Sequence, residues 1–103
     1  MKVVLKSNRH QHYATGDYEN NTITVFKGSQ INTDITYGKM PKRIIALRND
    51  RRLVSETGIV LVDLVFNSPS EAAQFITGRS VNGYIAWRID DKISLKEYRN
   101  KTN

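Results

Sequence analysis

The sequence predicts an α+β fold, with a mainly antiparallel sheet of four to six short strands and two main helices. Three observations favour it: an Asn20-Asn21 pair and an Asp90-Asp91 pair between strand-like segments, and a strongly marked helix over 69–77. Asn and Asp tolerate positive φ, so both pairs suit hairpin turns. The 103 residues are enough for one domain, 1–103, and too few for two.

The N-terminal third favours strands. Residues 2–6 alternate in polarity and predict a short strand, whereas residues 7–12 are polar and predicted to be irregular. Residues 22–27 are rich in β-branched and aromatic side chains, as strands prefer, and pair with 13–18 across the asparagine turn. The segment from Gly28 to Gly38 is predicted to be a loop.

A first helix is predicted from about 43 to 57. Pro41 suits the start of a helix, Ile44 and Val54 fall near one helical face, and Gly58 would end the helix. The apolar run Ile59–Phe66 then predicts a central strand covered on both faces. Asp63 interrupts this run, so it is expected either to lie at an edge or to pair with a buried arginine.

The second helix carries both of its end signals. Ser68 can accept from the amide of Glu71, while the Glu71 carboxylate reaches back to the Ser68 amide. Pro69 suits the first helical position, and Gly78 suits the left-handed terminus. These signals predict a helix over 69–77.

The C-terminal part predicts a second hairpin, with Tyr84–Ile89 and Lys92–Leu95 as its strands. In the first of these strands, Trp87 shares a face with apolar neighbours and should enter the core. Tyr84 and Arg88 would share the outward face. Ser94 and Glu97 form a second candidate capping box, which predicts a short helix to about Arg99.

The charge is basic and unevenly distributed. Sixteen Lys and Arg against ten Asp and Glu give a net charge of +6, and residues 39–52 hold six of the cations and one carboxylate. Such clustering is typical of a surface that binds a polyanion, although a solvated helix face with an excess of arginine explains it equally well. The chain has no cysteine and no apolar run long enough for a signal peptide or a membrane span, so we expect a cytoplasmic location and no membrane contact.

The sequence offers no credible catalytic centre. It has no Cys, its two histidines are His10 and His12 without an evident third metal ligand, and nucleotide-binding and metalloprotease motifs are absent. Asp90-Asp91 is better explained by a turn than by a cation site. We therefore expect no enzyme activity, no metal and no cofactor.

Nucleic acid, most readily DNA, is the partner that the charge pattern favours. The basic segment would neutralise phosphates, and a second group of side chains would approach bases or backbone. The first group comprises Lys42, Arg43, Arg48, Arg51 and Arg52, and the second comprises Arg79, Asn82, Tyr84 and Arg88. This hypothesis requires that the cations converge on one exposed surface.

A long block of the chain resembles a known family. Residues 66–87, FNSPSEAAQFITGRSVNGYIAW, resemble the signature FSSPSAAA-x-FV-x-GRSANGW-x-x-W of the bacterial domain-of-unknown-function family 4357, which is similar to the restriction-enzyme adenine-methylase-associated domain. Weaker similarity extends the resemblance to about 13–97. The chain departs from the family pattern at Asn67, Tyr84 and Asp91.

The resemblance implies an accessory role without catalytic residues. The family usually occurs fused to nucleases, methylases and restriction–modification proteins, which implies DNA recognition beside a separate catalytic domain. We expect no such catalytic domain within these residues. The alternative hypothesis is therefore a protein-interaction module, acting as an inhibitor or subunit in a bacterial or phage defence system, with a nuclease or methylase as a candidate partner.

Overall fold

The computed structural model describes residues 1–33 and 40–102, so part of the predicted 28–38 loop, and Lys39, lie outside the described residues. The predicted α+β class is confirmed, with six strands and four helices in this part of the chain. The elements, in chain order, are β1 (Lys2–Ser7), β2 (His12–Glu19), β3 (Thr22–Val25), α1 (Lys42–Asn49), β4 (Leu64–Phe66), α2 (Pro69–Thr77), α3 (Gly83–Ala86), β5 (Arg88–Ile89), β6 (Ile93–Ser94) and α4 (Leu95–Thr102).

The strands form one antiparallel sheet in the order β4-β3-β2-β1-β5-β6. Alternate side chains of the strands point to the side covered by α2, as the two-residue period of a strand requires. The core fills the space between the sheet and α2, and it includes Val3, Leu5, Ile23, Val25, Phe66, Phe75, Ile76 and Trp87.

Both predicted hairpin turns are confirmed. Asn20 and Asn21 have φ angles of 51° and 63° and connect β2 to β3, with Glu19 opposite Thr22. Asp90 and Asp91 have φ angles of 53° and 59° between β5 and β6. In each hairpin the sequence signal is local, because Asn and Asp tolerate the positive φ that the turn requires.

The prediction of one helix over 43–57 is wrong in its second half. α1 ends at Asn49, because Asp50 adopts an extended conformation with φ −83° and ψ 109°. The Asp50 carbonyl then accepts from the amides of Leu53 and Val54, which closes a turn. Only the first two turns of the predicted helix therefore form.

The prediction of a central strand over 59–66 is also wrong. Only Leu64–Phe66 is a strand, and it lies at the edge of the sheet. The amides of Val60 and Leu61 donate instead to the carbonyls of Ser29 and Leu53, at 2.8 Å each. Asp63 lies near this edge, as one expectation had it, and its carboxylate accepts from the Lys27 amide at 2.8 Å.

The second helix forms over the predicted residues. Ser68 Oγ accepts from the Glu71 amide at 3.1 Å, Pro69 begins the helix, and Gly78 ends it with a φ of 71°. The Glu71 carboxylate pairs with Arg43 Nη2. The first half of the capping box is therefore confirmed, and the carboxylate also connects α2 to α1.

The predicted strand over 84–89 is replaced by α3 followed by the two-residue β5. Asn82 Oδ1 accepts from the Tyr84 amide at 3.0 Å and thus starts a four-residue helix. Gly83 packs directly on the first turn of α2, where a Cβ would lie 2.1 Å from the Pro69 carbonyl carbon. Trp87 is fully buried, as predicted, and its Nε1 donates to the Pro69 carbonyl at 3.1 Å.

The tail helix begins where the sequence predicts and runs further than expected. Ser94 Oγ accepts from the Glu97 amide at 3.2 Å, as a cap does, and α4 continues to Thr102 rather than ending near Arg99. The helices pack in series, with α1 on α2, α2 on α3, and α3 on α4. Because each helix packs mainly on its neighbours in this series, cations on distant helices are held apart.

Candidate nucleic-acid interface

Arg48 lies in the core, so its predicted place on the exposed face of α1 is wrong. Its side chain is 4% exposed, and its guanidinium donates to the backbone carbonyls of Asn32 and Phe75. Phase along a helix cannot reveal such a role, because both acceptors lie in distant parts of the sequence. In this position Arg48 connects α1 to the C-terminal half of α2 and cannot reach a phosphate on the surface.

Two more cations of the basic segment pair with the domain's own carboxylates. Arg43 pairs with Glu71, and Arg52 binds Asp50 through Nε at 3.1 Å and Nη2 at 2.8 Å. The hydrogen bonds from Arg52 lower the pKa of Asp50 to about 2. Such pairing reduces the net positive field that these side chains present to an external anion.

Lys42 and Arg51 are the members of the basic segment that remain exposed without a carboxylate partner among the described residues. Arg51 Nη1 donates to the carbonyls of Arg48 and Val54 at 3.4 Å each. Among the described residues, the exposed and unpaired part of the basic segment is therefore reduced to these two cations.

Arg88 and Tyr84 do not form the predicted pair on one strand face. Arg88 lies opposite Val4 in the sheet, whereas its neighbour Ile89 lies opposite the buried Val3. Successive strand residues point to opposite faces, so Arg88 points away from the core and α2. Tyr84 lies in α3, on the covered side of the sheet.

Arg79 is exposed and lies apart from Asn82 and Tyr84. It follows Gly78 at the C-terminal end of α2, whereas Gly83 packs at the N-terminal end of that helix. Nine helical residues separate the two ends by roughly 13 Å. Together with the burial of Arg48, this separation shows that the nine predicted residues do not converge on one surface.

Asn82 and Tyr84 lie together in a shallow cleft of about 290 Å³ between α3 and α4. We call it the tyrosine–arginine cleft, and its lining residues are Asn82, Tyr84, Lys96, Arg99 and Asn100. The Arg99 guanidinium carbon lies over the Tyr84 ring, 4.5 Å from its centroid, in a cation–π contact. The lining combines one aromatic ring, two cations and two amides, and no carboxylate of the described residues belongs to it.

Sequence reasoning missed the three cleft residues from α4. Lys96, Arg99 and Asn100 have the i, i+3, i+4 spacing that places side chains on one face of a helix. This signal is present in the sequence. The spacing indicates a binding site only once Tyr84 is known to lie in α3 beside that face of α4. The position of Tyr84 in turn depends on the packing of α3 on α2.

A hydrogen-bond network holds the Tyr84 ring at the cleft. Asn21 Oδ1 accepts from the hydroxyls of Tyr84, at 3.1 Å, and of Tyr18, at 2.9 Å. Burial raises the pKa of Tyr18, and Tyr84 acts in the same direction, whereas Arg99 lowers it. The turn between β2 and β3 thus positions a side chain of α3.

The two histidines lie at the other end of β2. Their rings are parallel within 5° with centroids 6.4 Å apart, and His12 is 6% exposed. Burial lowers the pKa of His12, and the positive charges of His10 and Arg79 act in the same direction. Within residues 1–33 and 40–102, no group of three metal-binding side chains forms around them or elsewhere.

No helix in the described part of the chain is long and apolar enough to cross a membrane. No curated protein and no solved structure matches the chain. One family model does match, over residues 4–99, and the block that packs α3 on α2 lies within that range. The chain therefore belongs to the domain of unknown function family DUF4357.

Proposed function

We propose that the protein is a non-catalytic nucleic-acid-binding module, most readily a DNA-binding one, of the kind associated with restriction–modification or nuclease proteins. The observation that carries the proposal is the composition of the tyrosine–arginine cleft. Lys96 and Arg99 supply positive charge for phosphate, Tyr84 supplies an aromatic ring, and two amides supply groups that hydrogen bond to base edges.

The net charge of the chain supports the same proposal. A charge of +6 attracts a polyanion from a distance, and contacts at short range then fix its position. Lys42, Arg51, Arg79 and Arg88 are exposed outside the cleft. In the proposal they are secondary contacts, which strengthen binding to a longer strand that reaches them.

Two double variants test the assignment to the cleft. Lys96→Gln with Arg99→Gln removes two positive charges from the cleft, and Lys42→Gln with Arg51→Gln removes two from the basic segment. Fluorescence anisotropy with labelled DNA between about 50 and 200 mM salt measures the slope of log affinity against log salt concentration. Two lost phosphate contacts reduce the steepness of that slope by about 1.4 for a single strand and about 1.8 for a duplex.

We expect that reduction for the cleft variant and a smaller one for the basic-segment variant. Because both variants lose the same charge, equal losses would mean that net charge alone attracts DNA, and the cleft assignment would be wrong. Unmeasurable binding of the unmodified protein to DNA and RNA at low salt would end the proposal itself.

A protein-interaction module, such as a subunit or inhibitor in a defence system, is the second candidate. It is favoured by the exposed apolar side chains at the β4 edge, where Leu61, Val62 and Val65 are 37%, 41% and 66% exposed. β4 pairs with β3 and lies at the end of the sheet, and such an edge can accept a strand from another chain. If this is the function, the protein should form a complex with a partner protein that persists at high salt, and Val65→Lys should abolish that complex.

A further inference from the structure

We propose that the tyrosine–arginine cleft receives an unpaired base of a single-stranded nucleic acid. This inference rests on the proposed function and names the form of nucleic acid that the same site takes. The inference follows from the shape and chemistry of the cleft. The cleft presents a ring and a cation stacked on each other, and not a row of protruding cations.

The first argument is the rigidity of the stack. The Tyr84 ring is fixed at one side by its hydroxyl bond to Asn21 and at the other by α3, whose first residue packs on Pro69. Arg99 lies over the face of this fixed ring. The outer face of this exposed guanidinium, with the ring behind it, forms the platform on which a planar base stacks.

The second argument is the accessibility of base faces. In a duplex, the bases stack on one another and expose only their edges in the grooves. Their faces become available in single strands, or when one nucleotide is turned out of the helix. A site built around the flat face of a stacked guanidinium therefore matches unpaired nucleotides.

The third argument is the orientation of α4. A recognition helix that enters the major groove must project its polar side chains outward. In α4 the residues with that spacing, Lys96, Arg99 and Asn100, line a concave cleft with α3. Their place in a concave lining favours a ligand that enters the cleft over insertion of α4 into a groove.

The amide next to the platform adds a defined polarity. Asn82 Oδ1 accepts from the Tyr84 amide, so its role in the cap holds the acceptor end of this side chain. This exposed side chain lines the cleft and keeps its Nδ2 group as a donor, for which base carbonyl oxygens and ring nitrogens are suitable acceptors. Asn82 thus favours contact with a base edge over contact with another donor.

The test compares three ligands that separate bases from phosphates. They are an oligothymidylate of about 12 nucleotides, an abasic strand with the same number of phosphates, and a duplex of the same length; oligouridylate is the RNA counterpart. Base–aromatic stacking at one position corresponds to roughly 5- to 150-fold in affinity. We expect either oligopyrimidine to bind the unmodified protein at least fivefold more tightly than the abasic strand.

Variants at Tyr84 assign that preference to the cleft. Tyr84→Leu keeps an apolar side chain and removes the ring, so the preference over the abasic strand should disappear. Tyr84→Phe keeps the ring and loses the bond to Asn21, so most of the preference should remain. Circular dichroism checks that each variant is folded, and the comparison of ligands on the unmodified protein stands even where a variant does not fold.

The possible failures are distinguishable. Equal affinity for the oligopyrimidines and the abasic strand overturns this inference, because contact would be through phosphates alone, while the proposed function stands. Tighter binding of the duplex, unaffected by Tyr84→Leu, also overturns it and leaves the proposed function in place. Absence of binding to every ligand overturns both.

Discussion

The contact between Gly83 and the first turn of α2 allows the loss of stability caused by Gly83→Ala to be predicted. An added Cβ would lie 2.1 Å from the Pro69 carbonyl carbon, 2.2 Å from its oxygen and 2.3 Å from the Ser70 nitrogen. All three are backbone atoms, so no side chain can turn aside and α3 must move away from α2. Overpacking of this kind costs about 1–3 kcal/mol.

The displacement also weakens two hydrogen bonds that depend on the close approach. The Gly83 amide donates to Ser70 Oγ at 3.0 Å, and Trp87 Nε1 donates to the Pro69 carbonyl at 3.1 Å. Each contributes about 1 kcal/mol. We therefore expect Gly83→Ala to lower the free energy of unfolding by about 3–5 kcal/mol, which is more than 10 °C in Tm for a domain of this size.

Gly28→Ala is the matched control, measured alongside by urea denaturation and thermal melting. Gly28 has a φ of 93° and nothing within 4 Å of an added Cβ, so this substitution brings backbone strain without overlap. Its expected cost is about 1–2 kcal/mol. If Gly83→Ala destabilises the protein no more than Gly28→Ala does, the close contact between α3 and α2 does not limit stability and the reasoning fails.

Three further predictions concern charged groups. The folded-state pKa of His12 is lowered from 6.5, so the stability contributed by the neutral His12 ring is present above pH 6.5 and is lost as the pH falls through the folded pKa. Chemical denaturation across pH 5–8 should show this loss of stability, and His12→Gln should remove the share that His12 causes. Arg48→Met should destabilise the fold by about 2–4 kcal/mol in the same denaturation assay, because two buried carbonyls lose their donor, while the salt dependence of DNA binding stays unchanged. The Asp50 carboxylate should titrate near pH 2 by NMR, and Arg52→Gln should move that midpoint toward 3.8, an outcome that a water-mediated pair would not give.

Local signals in the sequence predicted the elements that depend on a few adjacent residues. The capping box at Ser68 and the two positive-φ turns fix the backbone through short-range hydrogen bonds and sterics, so α2 and both hairpins form where predicted. The helix over 43–57 failed where such a signal was missing. Its apolar period continued beyond Asn49, but Asp50 turned the chain and bound Arg52.

Elements that depend on distant contacts could not be predicted in this way. The alternation from Tyr84 to Ile89 has the period of a strand, yet Gly83–Ala86 form α3, which Asn82 caps and whose first residue packs on Pro69. Leu61, Val62 and Val65 have the composition of a buried strand but face solvent at an edge. Of the proposed cleft, Asn82 and Tyr84 were predicted as binding residues, whereas Arg99 required the position of α3 to be recognised.

The block that resembles the family signature serves mainly to build the fold, and this limits what membership of the family can say about ligands. Ser68 caps α2, Ser70 and Pro69 hold α3 and Trp87, and Asn82 starts α3. These contacts bring the N-terminal end of α2 and the polar face of α4 to the two sides of α3. The ligand side of the proposed site comes largely from α4, beyond that block. A relative that keeps the block and changes the residues at 96, 99 and 100 should therefore keep the fold and lose the binding proposed for this chain. Exchanging those three residues between this chain and such a relative should transfer the affinity for single strands with little change in Tm.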